Sequence, residues 1–315
     1  MRPIFQLFRF PNLIIVAILQ GLIYFKLLAP LLREYQIQAS LPPLEFGLFV
    51  FVTILITGSG YIINDLMDYE ADFINRKGKV IVRKKIPVSV ASWLYFGTVV
   101  VGFFVSLFLA FFSNNQQLLW LFPAAVFSLY IYSQVLKRKV LVGNLLISAF
   151  AGGVAGIVAL ALRDSLWELK RIAPDKAHFF LLVLWVYAGF AFLTTLFREV
   201  VKDIEDIKGD KFAGYRTLPI VVGEKFSRGL AIFIGVFLLA VTLGGFISVY
   251  HWIKFHFPGQ WVWMTAVAIS TVFLEGAALY QLAKANRTKD YRLVSQFIKL
   301  IMVMGIVFLA FIRPL

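Results

Sequence analysis

Apolar residues along this chain come in long blocks with no internal alternation, separated by short polar stretches. Unbroken blocks predict helices, since membrane-facing strands would alternate in and out. Each block is near the ~20 residues a helix needs to cross a bilayer. Nine spans are expected, at roughly 11–32, 43–63, 91–112, 117–136, 140–162, 177–198, 229–250, 259–283 and 293–312. The fourth is the weakest, because Pro123 lies inside it and polar residues from Asn114 to Gln117 precede it. The fold class is therefore all-α, a polytopic bundle of nine transmembrane helices forming a single domain over 1–315.

Composition agrees. The chain is 60% hydrophobic, well above the ~45–50% of soluble domains. No small-residue cleavage site follows the first apolar block, so it is expected to remain as a span. Cysteine is absent, which excludes disulfides, thiolate nucleophiles and cysteine-based metal centres. The net charge of +14 would suit a nucleic-acid partner, but its distribution argues otherwise. Most Lys and Arg fall in the N-terminal segment and in the loops after spans 2, 4, 6 and 8. Positive charge collects on the cytoplasmic side of a membrane protein. The expectation is a multi-pass protein of the plasma (inner) membrane. Its N-terminus and even-numbered loops would be cytoplasmic and its C-terminus outside, with no nucleic acid.

Two acidic triplets then stand out. Asn64, Asp65, Asp68 and Asp72 follow span 2, and Asp203, Asp206 and Asp210 follow span 6. Both triplets have offsets of zero, three and seven, which on a helix put three carboxylates along one face. Adding 138 to the first set of aspartates gives the second. This echo suggests two four-helix units followed by a ninth helix. Solvated helix ends paired with Lys would be the bland alternative, and Glu70 and Glu205 fit it. Six aspartates at one edge of a bilayer are too costly to be incidental and would repel each other without a cation. Mg²⁺ is held by a few carboxylates together with substrate phosphates, so the six acids are candidate metal ligands for a diphosphate site.

Basic residues flank the acids: Arg76, Lys77, Lys79, Arg83, Lys84 and Lys85 after the first triplet, Lys137, Arg138 and Lys139 after span 4, and Arg198, Lys202, Lys211 and Arg216 around the second. Lys137, Arg198 and Lys202 are the best candidates for diphosphate contact, being nearest span ends. His178, His251 and His256 fall on the opposite side and receive no role. Lys26, Glu275 and Lys299 lie within spans and read as structural, with Glu275 facing the bundle interior.

The motifs and their order resemble the UbiA superfamily of membrane prenyltransferases. Asn64–Asp72 reproduces its N-D-x-x-D-x-x-x-D motif. Tyr132-Ser133, Leu136-Lys137-Arg138 and Asn144 resemble its Y-S…L-K-R…N stretch. Asp206–Asp210 reproduces its second D-x-x-x-D, followed by an R-T-L-P…G tail, and Arg9 and Asn12 resemble the polar start of its first helix. One departure is the stretch after Asn75-Arg76, which lacks the N-R-P-L/I-P-x-G pattern of many members.

The resemblance implies a nine-helix bundle with a cavity capped on the cytoplasmic side, binding a prenyl diphosphate donor with Mg²⁺ and admitting a lipophilic acceptor from the bilayer. It carries the six aspartates and Asn64 over as metal and diphosphate residues, and Tyr132, Lys137, Arg138, Arg198 and Lys202 as further substrate contacts. The run from Arg198 to Asp210 is most like members that prenylate geranylgeranylglyceryl phosphate. Prenylation of hydroxybenzoate or dihydroxynaphthoate in quinone synthesis is the alternative. A CDP-alcohol phosphotransferase is disfavoured by the absence of its motif. A cation-coupled transporter is disfavoured by acids lying at one face rather than mid-bilayer.

Overall fold

The computed structural model describes residues 2–75, 80–256 and 259–312. Among the described residues, nine helices are long and apolar enough to span a bilayer. They are α1 (Phe10–Glu34), α2 (Pro43–Met67), α3 (Val88–Phe112), α4 (Gln116–Arg138), α5 (Val142–Ala161), α6 (Pro174–Phe212), α7 (Glu224–His256), α8 (Trp261–Lys284) and α9 (Thr288–Phe311). No β-strand occurs among these residues beyond an isolated bridge between Val82 and Ile86. The expected spans are all found, and the main difference is length: α6 runs on for 39 residues and so carries the whole second triplet past its apolar part.

Local sequence explains the irregularities. Pro11, Pro43 and Pro174 occupy first turns, where a missing N–H costs nothing. Pro30 cannot donate to the carbonyl of Lys26 and its ring would crowd it. The preceding residues, Leu22–Leu28, widen into a π-helix, which opens the turn. Pro123 sits inside α4 without ending it, as neighbouring helices permit in a membrane.

Packing makes α2 and α6 the two hubs. Helix α2 touches α1, α3 and α4, while α6 touches α5, α7 and α9, and α1 closes the ring onto α5 and α9. The halves echo one another in neighbour order, with α9 taking against α6 the place α4 takes against α2. Ser148, Gly152 and Ala155 form a buried stripe of small residues on α5, which faces α6 and lets the two backbones approach. Buried polar groups link helices at depth. The Gln20 amide donates to Thr53 Oγ1 at 3.3 Å and to the Val154 carbonyl at 3.0 Å. Glu275 is 1% exposed and accepts from Thr242 at 2.7 Å, so it faces the interior as expected.

The N-terminal segment and the loops after α2, α4, α6 and α8 share one end. Lys85 reaches Gln6 (3.1 Å), Arg216 N–H donates to the Arg138 carbonyl (3.0 Å), and Arg292 pairs with Glu205 (2.9 Å). At the other end Ser40 and Ser165 are joined hydroxyl to hydroxyl at 2.6 Å.

Candidate active site

The two acidic motifs meet at the basic end of the bundle, and their local structures differ. Asn64 and Asp65 sit on the last turn of α2, Asp68 is its C-cap, and Asp72 lies on a separate short helix, Tyr69–Asn75. The expectation of one continuous helical face is thus corrected for the first triplet: the chain bends at Asp68. It holds for the second, where Asp203, Asp206 and Asp210 share the unbroken α6.

One residue pair joins the motifs. The Asn75 side chain donates to the Asp206 carbonyl (3.1 Å) and accepts from the Gly209 N–H (2.8 Å), a two-way clasp on the α6 backbone. A Cβ at Gly209 would fall 2.3 Å from the Asn75 amide nitrogen and 2.6 Å from the Ala71 carbonyl oxygen, so only glycine permits this approach. Neither Asn75 nor Gly209 was singled out from the sequence. The spacing of Gly209 just before Asp210 was the available signal.

The first motif is met by cations. Lys137 Nζ contacts Asp68 Oδ1 and lies 3.4 Å from Asn64 Oδ1, with both charged side chains largely buried. The Tyr215 hydroxyl donates to the same Asp68 oxygen at 3.1 Å. Burial, and then the Asp68 carboxylate, push the Tyr215 phenol above its usual range, which keeps it a donor. The Tyr215 ring also faces Lys137 at 5.8 Å and Arg138 at 5.1 Å. Arg9 Nη2 lies 2.9 Å from Asp65 Oδ1, and its guanidinium covers the Tyr61 ring at 4.6 Å. The backbone of Arg9 is left-handed (φ 50°), separating the Arg2–Leu7 helix from α1 just where this side chain is delivered.

The second motif is met by an amide. Asn144 on the first turn of α5 donates to Asp203 Oδ2 at 2.9 Å. The start of α5 is tied to the Lys137 loop by Gly143, where a Cβ would lie 2.6 Å from the Lys137 Cα. Tyr132 lies within electrostatic range of Asp68, Asp203 and Glu199, and Asp210 within range of Asp206, Lys202, Asp68 and Lys137. The motifs therefore share one field. Arg198 contacts Glu199 at 2.6 Å, and its Nε is buried without a hydrogen-bond partner.

Other basic residues divide as loop anchors. Arg83 and Lys84 lie over the Tyr69 and Phe73 rings, pinning the 80–86 turn onto the short helix. Arg76, Lys77 and Lys79 lie outside the described residues, as does the side chain of His256. His178 and His251 are at the far end of the bundle, away from the acids. Glu70 is exposed, as expected of a solvated helix end, whereas the Glu205 side chain is only 12% exposed and pairs with Arg292 of another helix rather than with a neighbouring Lys.

Among the described residues no three carboxylate or imidazole side chains converge tightly enough to form a ready metal cage. The chemistry of the donor set still fits a hard divalent ion, which takes oxygen ligands and completes its shell with water and phosphate. That Asp68 and Asp65 each hold a cationic side chain shows that these positions bind positive charge.

The profile of the UbiA prenyltransferase family matches residues 35–307. The chain belongs to the UbiA prenyltransferase family. It is 32% identical over 206 residues to a digeranylgeranylglyceryl phosphate synthase of Sulfurisphaera tokodaii, a match covering 64% of this chain and 66% of that protein. A synthase of the same name from Methanosarcina mazei is 30% identical over 247 residues, 77% of this chain and 78% of that protein. The fold of the UbiA family is also seen in two solved structures. A chain from structural work on digeranylgeranylglyceryl phosphate synthase in membranes superposes with TM-score 0.62 at 23% identity, covering 98% of this chain and 96% of that one. The apo structure of a UbiA homologue from Aeropyrum pernix K1 superposes with TM-score 0.62 at 16% identity, covering 97% of each.

Proposed function

We propose that this protein transfers an isoprenyl group within the membrane from a prenyl diphosphate to geranylgeranylglyceryl phosphate, forming an ether lipid. The observation that carries the reading is the meeting of two acidic motifs with Lys137, Arg138 and Tyr215 at one end of a family-typical bundle. The acceptor class is supported by the relatives that share the name digeranylgeranylglyceryl phosphate synthase.

In this reading the donor diphosphate sits among the basic side chains with its C1 directed toward the apolar interior. Asp65, Asp68, Asp72, Asp203, Asp206 and Asp210 would hold Mg²⁺, with Asn64 beside them. Bound Mg²⁺ supplies neutralisation of the charge that develops on the leaving diphosphate. Lys137, Arg138, Arg198 and Lys202 supply the rest as point charges and paired donors. The C1–O bond breaks with its electrons going to diphosphate, the acceptor hydroxyl oxygen bonds to C1, and the hydroxyl proton passes to the departing diphosphate, the base that the reaction itself releases. Tyr132, within electrostatic range of both motifs, would line the space between them, and the surrounding apolar walls would keep water from competing for C1. The site would face the cytoplasm, on the charge bias of the loops.

The test is a transfer assay on purified protein with Mg²⁺ and labelled geranylgeranyl diphosphate. Geranylgeranylglyceryl phosphate and dihydroxynaphthoate are offered in parallel. A Mg²⁺-dependent diether is expected, and its loss in Asp68→Ala ties it to the site. A prenylated ring product instead would move the function to quinone synthesis.

A further inference from the structure

Two carboxylates proposed for the metal are already engaged with cations, Asp68 with Lys137, which is proposed for the diphosphate, and Asp65 with Arg9. Lys137 Nζ is on Asp68 Oδ1 and near Asn64 Oδ1, and Arg9 Nη2 is 2.9 Å from Asp65 Oδ1. The Lys137 side chain is only 9% exposed and that of Asp68 16%, so neither charge is left to water if the other is taken away. Breaking a buried pair by removing one partner is strongly unfavourable, because the remaining charge is stranded.

This has a consequence for binding order. A divalent ion arriving alone must displace Lys137 and Arg9 from the carboxylates and leave the buried Lys137 ammonium next to its own charge, while Arg9, 36% exposed, is displaced at lower cost. A diphosphate arriving alone must draw the same cations away and leave bare carboxylates next to its own negative charge. A metal-bound diphosphate avoids both penalties: the metal takes the carboxylates while the ammonium and guanidinium groups transfer to phosphate oxygens. Tyr215 is placed to guide that transfer. Its hydroxyl holds Asp68 Oδ1 at 3.1 Å, and its ring runs beneath Lys137 and Arg138. The Tyr61 ring offers Arg9 the same kind of support at 4.6 Å.

We propose that Lys137 and Arg9 are exchangeable counter-ions, which make the site select a metal-bound diphosphate over either free ion, with Tyr215 as the positioning residue for Lys137. The proposal rests on the diphosphate site described above and adds that the two ligands depend on one another. It predicts a coupling of the order typical of linked sites, about tenfold or more.

Equilibrium dialysis of the purified full-length chain tests it, with Mn²⁺ followed by its paramagnetic signal and inorganic pyrophosphate by a radioactive label. The wild-type chain is expected to retain pyrophosphate only when Mn²⁺ is present and to hold Mn²⁺ alone weakly. Lys137→Met is expected to bind Mn²⁺ alone about tenfold more tightly than wild type, while binding Mn²⁺ with pyrophosphate more weakly. Loss of a merely structural lysine would not improve affinity for a free metal ion. Tyr215→Phe keeps every charge and is expected to give a smaller gain in the same direction, so it serves if Lys137→Met does not fold. Equal Mn²⁺ affinity with and without Lys137, or wild-type affinity for Mn²⁺ alone matching that with pyrophosphate, overturns the proposal and leaves the transferase reading standing. Failure of the wild-type chain to bind Mn²⁺ and pyrophosphate even together overturns both.

Discussion

The two acidic motifs have the same spacing, but their helices differ, and so do the side-chain contacts of Asp203 from those of Asp65 and Asp68. Asp203, Asp206 and Asp210 ride on one unbroken helix, and the partner of Asp203 is the neutral amide of Asn144. Asp65, Asp68 and Asp72 straddle a bend between two helices, and Asp65 and Asp68 are met by Arg9 and Lys137. A carboxylate held by an amide can accept a metal without ejecting a charge, whereas one held by a buried ammonium cannot. The contrast teaches that identical spacing does not give identical settings, and on the proposed reading the second motif is a fixed platform and the first an adjustable one.

The hardest test of this comparison removes one acid from each motif. Asp206→Ala and Asp68→Ala are each expected to lower transfer by roughly 10²–10³-fold, the cost of losing a charge-stabilising group at a reacting centre. The Asp206 variant should insert and purify as wild type does, while Asp68→Ala, which strands the buried Lys137 ammonium, is expected to lose stability as well. Normal turnover in the Asp206 variant would leave the first motif as the working site and remove the platform role. A second test acts on the clasp between the motifs. Gly209→Ala forces a methyl group into the Asn75 amide. It is expected to destabilise the chain by about 1–3 kcal/mol, as overpacking does, and to reduce turnover by up to ~10²-fold through misplacement of the motifs. Unchanged melting and turnover would mean that the clasp does not set their separation.

The smallest expected effect is alkaline. The Tyr215 phenol is raised above its ordinary value of 10.0, chiefly by burial and then by Asp68. The folded chain therefore keeps a proton that the unfolded chain releases above about pH 10. Stability from this group is fully present below that pH and falls as pH rises through the folded value. Tyr215→Phe should flatten the alkaline fall in unfolding midpoint, and an identical fall in both chains would assign it to other groups.

Much of this was legible in the chain. Long apolar blocks fix where helices cross because every backbone polar group in hydrocarbon must be satisfied within its own segment. Pro123 and the polar residues from Asn114 to Gln117 weakened the fourth span, and the helix starts at Gln116 and runs through Pro123 all the same. Both acidic motifs and Lys137 were also readable, since aspartates next to apolar blocks are too expensive to be incidental. Asn75, Gly209 and Tyr215 were given no role from the sequence. Each looks ordinary in its own loop or helix and gains meaning only from a partner more than 130 positions away.

That division has a physical cause. Hydrophobicity, helix-breaking and charge bias act over one segment at a time, so the sequence alone determined the nine spans, their expected orientation and the residue types at the site. Which cation rests on which carboxylate depends on angles and distances between helices set by packing along α5, α6 and the short Tyr69–Asn75 segment. Only the tertiary structure decided that Lys137 would meet Asp68, that Asn144 would meet Asp203, and that one asparagine and one glycine would hold the two motifs together.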